Sequence, residues 1–321
     1  MITTKTLPRS IVWFASTLAA STLLAGPYSS GGSNTNAGAV DAGIPGFVGV
    51  AGDGVVATET NGNYINPIFK GWATGYSSYV PHDLEEVQNY VGGAYSHPEK
   101  ALGPVTGSNG DIVSLDDMNA DEIAAWLDDP DNSNGPGELT LTFNNPIYNG
   151  AGADFATFEN SFASGGGVFA ELGYVEVSTN GTDFARFPSI SLTESPVGGY
   201  GTIDPTGVYN LVGKHVNAYN NSFGTPFDLD DLLDDTLVLD GVVDLNEINY
   251  VRIVDIPGDG TFLDSEGNPI YDAWHTFGSG GVDFEALGVI NQVPEPAAYA
   301  SLLGALSLLG VTFYRRRARN A

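Results

Sequence analysis

Residues 150–187 read GAGADFATFENSFASGGGVFAELGYVEVSTNGTDFARF, and few folds accept such a run. Apolar side chains recur at every second position, the spacing of a β-strand. Over 154–159, Phe155, Thr157 and Glu159 share one face and Asp154, Ala156 and Phe158 the other. Ser164-Gly165-Gly166-Gly167 interrupts the pattern. It resumes over 168–178, with Val168, Ala170, Leu172 and Tyr174 on one side and Phe169, Val175 and Val177 on the other. Asn180-Gly181 then predicts a tight type I′ hairpin, which needs positive φ at both central residues. Residues 183–187 supply the returning strand.

The flanking chain repeats this character. Leu139, Leu141 and Phe143 alternate inward, Val251 and Ile253 share a face of a strand over 250–256, and 281–290 close the set. Helix signals are short. Residues 81–90 and 227–233 suggest about a turn or two, and Asn119-x-x-Glu122 is a capping box ahead of Ile123, Trp126 and Leu127. Trp126 sits at helical spacing from Ile123 and is expected in the core, whereas the residues around Trp72 fit strand or loop equally. Short strands separated by Gly/Asn turns predict an all-β domain, an antiparallel β-sandwich over 55–292 with its packed core at 101–290. Residues 26–54, rich in Gly, Ser, Asn and Ala, read as a flexible leader.

Both ends carry addresses. Lys5 and Arg9 precede an apolar stretch over 11–25, so 1–25 reads as a signal peptide for signal peptidase. At the other end, Pro294-Glu295-Pro296 leads into an apolar run over 297–314 and then Arg315, Arg316, Arg317 and Arg319. That run is just long enough for a transmembrane helix, with the arginines on the cytoplasmic side. Residues 293–321 resemble the PEP-CTERM sorting signal. The resemblance implies recognition by exosortase and cleavage near Pro-Glu-Pro. It also implies residence in the envelope or extracellular matrix of a Gram-negative bacterium that makes exopolysaccharide. Retention of the helix as a membrane anchor is the other outcome.

Without these ends, 5 bases face 38 acids, a formal −33 for the exported part. Such a surface repels nucleic acid and anionic lipid and attracts divalent cations. The chain has no cysteine, so no disulfide holds it in an oxidising compartment.

The order of motifs resembles bacterial cell-surface proteins with a jelly-roll, galactose-binding-like domain. The matching stretches are 152–160, 169–181, 227–229, 267–272 and 281–290. The resemblance implies the fold and carries no activity with it.

Reaction motifs are missing. His82, His97, His215 and His275 are scattered, with no His-Glu-x-x-His pattern, no Gly-x-Ser-x-Gly elbow and no nucleotide loop. Paired carboxylates such as Glu159 and Glu171 leave a secreted glycan-active enzyme as the alternative function. Calcium fits better, since it takes several oxygen ligands from turns. From Asp255, through Asp259 and Gly260, to Glu266 the chain matches an EF-hand loop at four positions, with Pro257 where a ligand should be. Asp264, Asn268 and Asp272 add oxygens nearby, and Asp154, Glu159 and Asn160 form a second group. For a glycan, Trp274 beside Tyr271 and His275 is the best aromatic cluster in a loop. The expectation is an exported structural or adhesive protein with calcium-dependent binding of exopolysaccharide.

Overall fold

The computed structural model describes residues 26–30, 40–49, 63–131 and 133–294. The signal segment 1–25, the apolar run 297–314, Glu295, Pro296 and Arg315–Arg317 lie outside the described residues. Among the described residues no helix is long and apolar enough to cross a membrane.

The architecture is antiparallel and β-rich. The strand Ile248–Asp255 buries alternate residues, Val251, Ile253 and Asp255 among them. It pairs along its length with Gly173–Ser178 on one side and Glu138–Ile147 on the other. Ala185–Arg186 and Gly75–Val80 complete that five-stranded sheet at its two edges. The second sheet runs Ile44–Pro45, Phe223–Phe227, Phe155–Glu159, Asp283–Val289, Gly71–Trp72, with Val113–Ser114 also on Asp283–Val289. Both sheets feed one core. Leu139, Leu141, Val175, Val177, Val251 and Ile253 come from the first; Phe155, Phe227, Phe284, Leu287 and Val289 from the second.

The second sheet is covered on its other face too. Ala156, Phe158 and Ala286 pack there against Phe47, Phe69 and Val105. The strand Phe155–Glu159 is therefore buried on both faces, which explains why its pattern carries Phe at both parities. A third cluster gathers Val168, Ala170, Leu172, Ile203, Leu211, Val216, Ile256 and Ile270.

Several expectations change. The presumed leader is part of the fold where it is described: Ile44–Pro45 pairs with the strand Phe223–Phe227. Tyr28 stacks on Tyr209 with ring centroids 4.9 Å apart, and Asp41 forms a buried ion pair with Lys214. The tyrosine stack and the buried ion pair dock the described residues 26–30 and 40–49, whose composition alone suggests mobility. The stretch 168–178 divides into Gly167–Phe169 and Gly173–Ser178, which belong to different sheets.

The hairpin at Asn180-Gly181 forms, pairing Val177 with Ala185, but its loop is wider than two residues and only Gly181 has positive φ. Ser178 Oγ and Asn180 Oδ1 accept the loop N–H groups instead. The two-residue turn lies earlier, at Gly165-Gly166, both with positive φ, between Ser164 and its partner Gly167. The capping box at Asn119 and Glu122 is present at the start of Ala120–Asp128. Trp126 is half-exposed and stacks on Phe262 rather than entering the core. Trp72 lies in a strand, paired with Gly288.

Candidate functional site

The strand register places acids together. Glu159 ends one strand beside Phe284, whose neighbour Asp283 begins the adjacent one. Asp255 ends its strand opposite Gly173, two residues beyond Glu171. Asp117 follows the short strand Val113–Ser114, and Ser114 pairs with Asp283. All these strand ends lie at one end of the two sheets, so Asp117, Glu159, Glu171, Asp255, Asp272 and Asp283 share one buried region. Each is less than a tenth exposed.

Burial raises every one of these carboxyls, and their mutual repulsion raises them further. Asp117 is pushed up to about 10, by desolvation first and Asp255 next. Desolvation lifts Asp255 and Asp283 to about 8 each, and desolvation followed by the charge of Glu86 lifts the buried Asp116 to about 7. Glu159, Glu171 and Asp272 are moved well above the usual carboxylate range by burial and then, in the two glutamates, by Asp283. In Asp283 hydrogen bonds from Ser279, Ser114 and Asn160 oppose the rise.

Other buried acids are handled differently. Asp154 accepts from the Gly150 and Leu229 N–H groups and from Asn291. Glu285 accepts from Thr106, Gly107 and Asn217. In the cluster, Asp117 Oδ1, Asp255 Oδ2 and Asp283 Oδ1 are buried with no hydrogen-bond partner. Nor does any lysine or arginine among the described residues bond to the cluster. Among the described residues Arg186 and Arg252 share Glu176, Lys214 pairs with Asp41, and Lys70 and Lys100 bond backbone carbonyls.

An aromatic ridge lies above. Ring contacts run from Tyr219 through Phe162, Phe169, Tyr200, Phe277 and His275 to Trp274, with centroids 4.8–6.3 Å apart. Tyr219, Tyr200 and Phe277 are exposed, at 63%, 72% and 62%. The Gly165-Gly166 turn sets Phe162 opposite Phe169 in register, which stacks them. Thr276, between His275 and Phe277, joins ridge to cluster. Its hydroxyl lies 2.7 Å from Glu171 Oε1, and its N–H donates to Asp117 Oδ2 over 3.1 Å. Trp274 donates its indole N–H to the carbonyl of Met118, one residue after Asp117.

The residues singled out in the sequence are redistributed. Asp255, Asp272, Glu159 and Asn160, drawn from two separate groups, meet at the cluster. Asp154 stands at the far end of the strand from Glu159, roughly 16 Å away at ~3.3 Å per residue. Asp264 accepts from Ser191, Glu266 and Asn268 and caps their turn. Asp259 bonds Thr261, and Glu266 is exposed. The loop from Asp255 to Glu266 thus does not fold around a common centre, because Asp259–Leu263 forms a hairpin strand with Pro269–Tyr271. Tyr271 lies against Gly260 on that hairpin, away from the ring contacts of Trp274. Pro294 ends the described chain, and the other sorting residues lie outside it. Asp117 and Asp283 join the cluster although no motif in the sequence marks them. The signal for Asp283 was an acid inside a strand flanked by apolar residues on both sides.

Among the described residues no three acid or histidine side chains already stand at metal-ligand spacing. No protein-family model matches the chain, and no curated protein matches it either.

Proposed function

We propose that the chain is an exported surface or matrix protein whose aromatic ridge binds a polysaccharide. On this reading the two sheets form a jelly-roll-like sandwich, and residues 293–321 are an exosortase sorting signal. The single observation that carries the binding role is the unbroken line of rings from Tyr219 to Trp274, three of them exposed. Exposed aromatic rows of this kind mark interaction sites, since leaving such area in water is unfavourable. A sugar presents C–H faces to a ring and hydroxyls to its rim, which suits Tyr219, followed in the chain by Asn220 and Asn221.

Charge narrows the occupant. The strongly acidic balance of the exported part, a formal −33, disfavours nucleic acid, anionic lipid and strongly acidic glycans. A neutral polysaccharide remains. Hydrolysis by Glu159 and Glu171 is the less favoured reading, because both carboxyls are buried beneath the ridge. The test is a glycan array with the purified chain, repeated with Tyr200→Ala combined with Phe277→Ala. Binding to a neutral glycan that the double variant loses, while its unfolding midpoint stays unchanged, supports the role. Absence of binding by the wild-type chain overturns it.

A further inference from the structure

We infer that Asp117, Asp255 and Asp283, with Glu171 beside them, are the ligands of one divalent cation of the calcium class, held beneath the 272–283 loop. The cation would bind whether or not the ridge takes a glycan.

The buried acids of this protein provide the contrast. Asp154 and Glu285 are buried just as deeply, and N–H or O–H donors surround both. Asp117 Oδ1, Asp255 Oδ2 and Asp283 Oδ1 have none. Buried oxygens without partners are uncommon in folded proteins, and three within one cluster point to a common unfilled demand. The acids repel one another, and every lysine and arginine among the described residues is engaged elsewhere. The repulsion is therefore relieved either by protons or by a cation that no lysine or arginine among the described residues supplies.

A hard divalent ion meets both needs. Calcium takes six to eight oxygens at roughly 2.3–2.6 Å, accepts irregular geometry and tolerates water in the remaining positions. Soft metals are excluded by the donor set, which is carboxylate oxygen with no cysteine and no histidine among the ligands. Magnesium demands near-ideal octahedral geometry and keeps several waters, which suits a buried, irregular cluster less well. Carboxylates that repel hold apart; a cation reverses the sign of that force and draws them in. Asp117 and Glu171 both bond Thr276, so the same ion would fix the loop that carries His275 and Phe277.

The experiment is calorimetric titration of the full-length chain, purified in mild detergent and stripped with chelator, with calcium chloride. The variants are Asp255→Asn and Asp283→Asn, which keep shape and remove charge. One calcium per chain is expected, with a dissociation constant of ~10⁻⁴–10⁻³ M or tighter, as for extracellular sites. Calcium should raise the melting temperature by several degrees at saturating concentration, and sodium chloride of equal ionic strength should not. Each variant should weaken binding at least tenfold. Because each also removes repulsion, it should melt no lower than the wild type in chelator, which separates lost binding from lost fold. Absence of saturable binding overturns the site, as does calcium binding that survives in both variants. A calcium response reproduced by sodium chloride would do the same, and would mean that protons alone neutralise the cluster.

Discussion

The Thr276 hydroxyl lies 2.7 Å from Glu171 Oε1, and through that contact the loop that exposes Phe277 is tied to a buried acid. The same residue donates its backbone N–H to Asp117. Two acids of the cluster are thus held by one residue of the ridge loop. Thr276→Val keeps the shape and removes the hydroxyl, leaving Glu171 Oε1 without this donor. Such a loss costs about 1–3 kcal/mol. Urea unfolding of the variant should show that loss, and Trp274 emission should shift as the loop loosens. An unchanged midpoint would mean that the hydroxyl bears no load.

A second prediction concerns the turn beneath the ridge. Gly165 and Gly166 both hold positive φ, 58° and 93°, a region that a β-branched residue reaches only with strain. Gly166→Val should cost roughly 1–3 kcal/mol. It should also disturb the Phe162–Phe169 stack, so polysaccharide binding should weaken more than the unfolding midpoint alone would suggest. Retained binding with a normal near-ultraviolet dichroism spectrum would separate the turn from the ridge.

The segment before the core gives a third. Lys214 is fully buried against Asp41 and the Val208 carbonyl. Lys214→Met strands Asp41 in a dry site, and breaking a buried pair in this way costs about 3–5 kcal/mol. Adding Asp41→Leu should recover much of that loss, since replacing both partners removes the uncompensated charge. Thermal unfolding of the single and double variants distinguishes the two states. Equal destabilisation of both would mean that 40–49 is not docked through this pair.

Acid should act on Asp264 in a defined direction. Its burial opposes ionisation, but N–H groups of Ser191, Asn268 and Glu266 outweigh that and hold its pKa below the usual aspartate value. A group with a lowered folded pKa contributes stability above its unfolded pKa of about 3.9, and loses it as pH falls through the folded value. The stability gap between wild type and Asp264→Asn should therefore be full at pH 6 and shrink steadily below about pH 4. A gap that grows with acid would contradict the turn described around this residue.

Much of the β-architecture was legible because period-two patterns survive wherever one face meets the core. Leu139, Leu141, Val251 and Ile253 read correctly for that reason. The capping box at Asn119 was legible because its chemistry is local. What could not be read is the product of register. Glu159 and Asp255 end strands in different sheets, and no local pattern says that those ends meet. The loop from Asp255 to Glu266 looked like one ligand set because spacing in sequence was all there was to weigh. The fold instead spends Asp264 on a turn and Asp259 on Thr261. The ridge is half legible: Trp274 and His275 stand together in the sequence, whereas Tyr200 and Tyr219 arrive from loops whose placement depends on the whole chain.

The most direct measurement of the cation site is luminescence of terbium, a calcium substitute, excited through tryptophan. Trp274 bonds Met118 beside Asp117 and stands at the cluster's edge. Terbium added to the chelator-stripped full-length chain should give sensitised emission that excess calcium displaces. That emission should dim in Trp274→Phe and vanish in Asp283→Asn. Emission that is absent in the wild-type chain, or that persists undiminished in Asp283→Asn, would contradict the site.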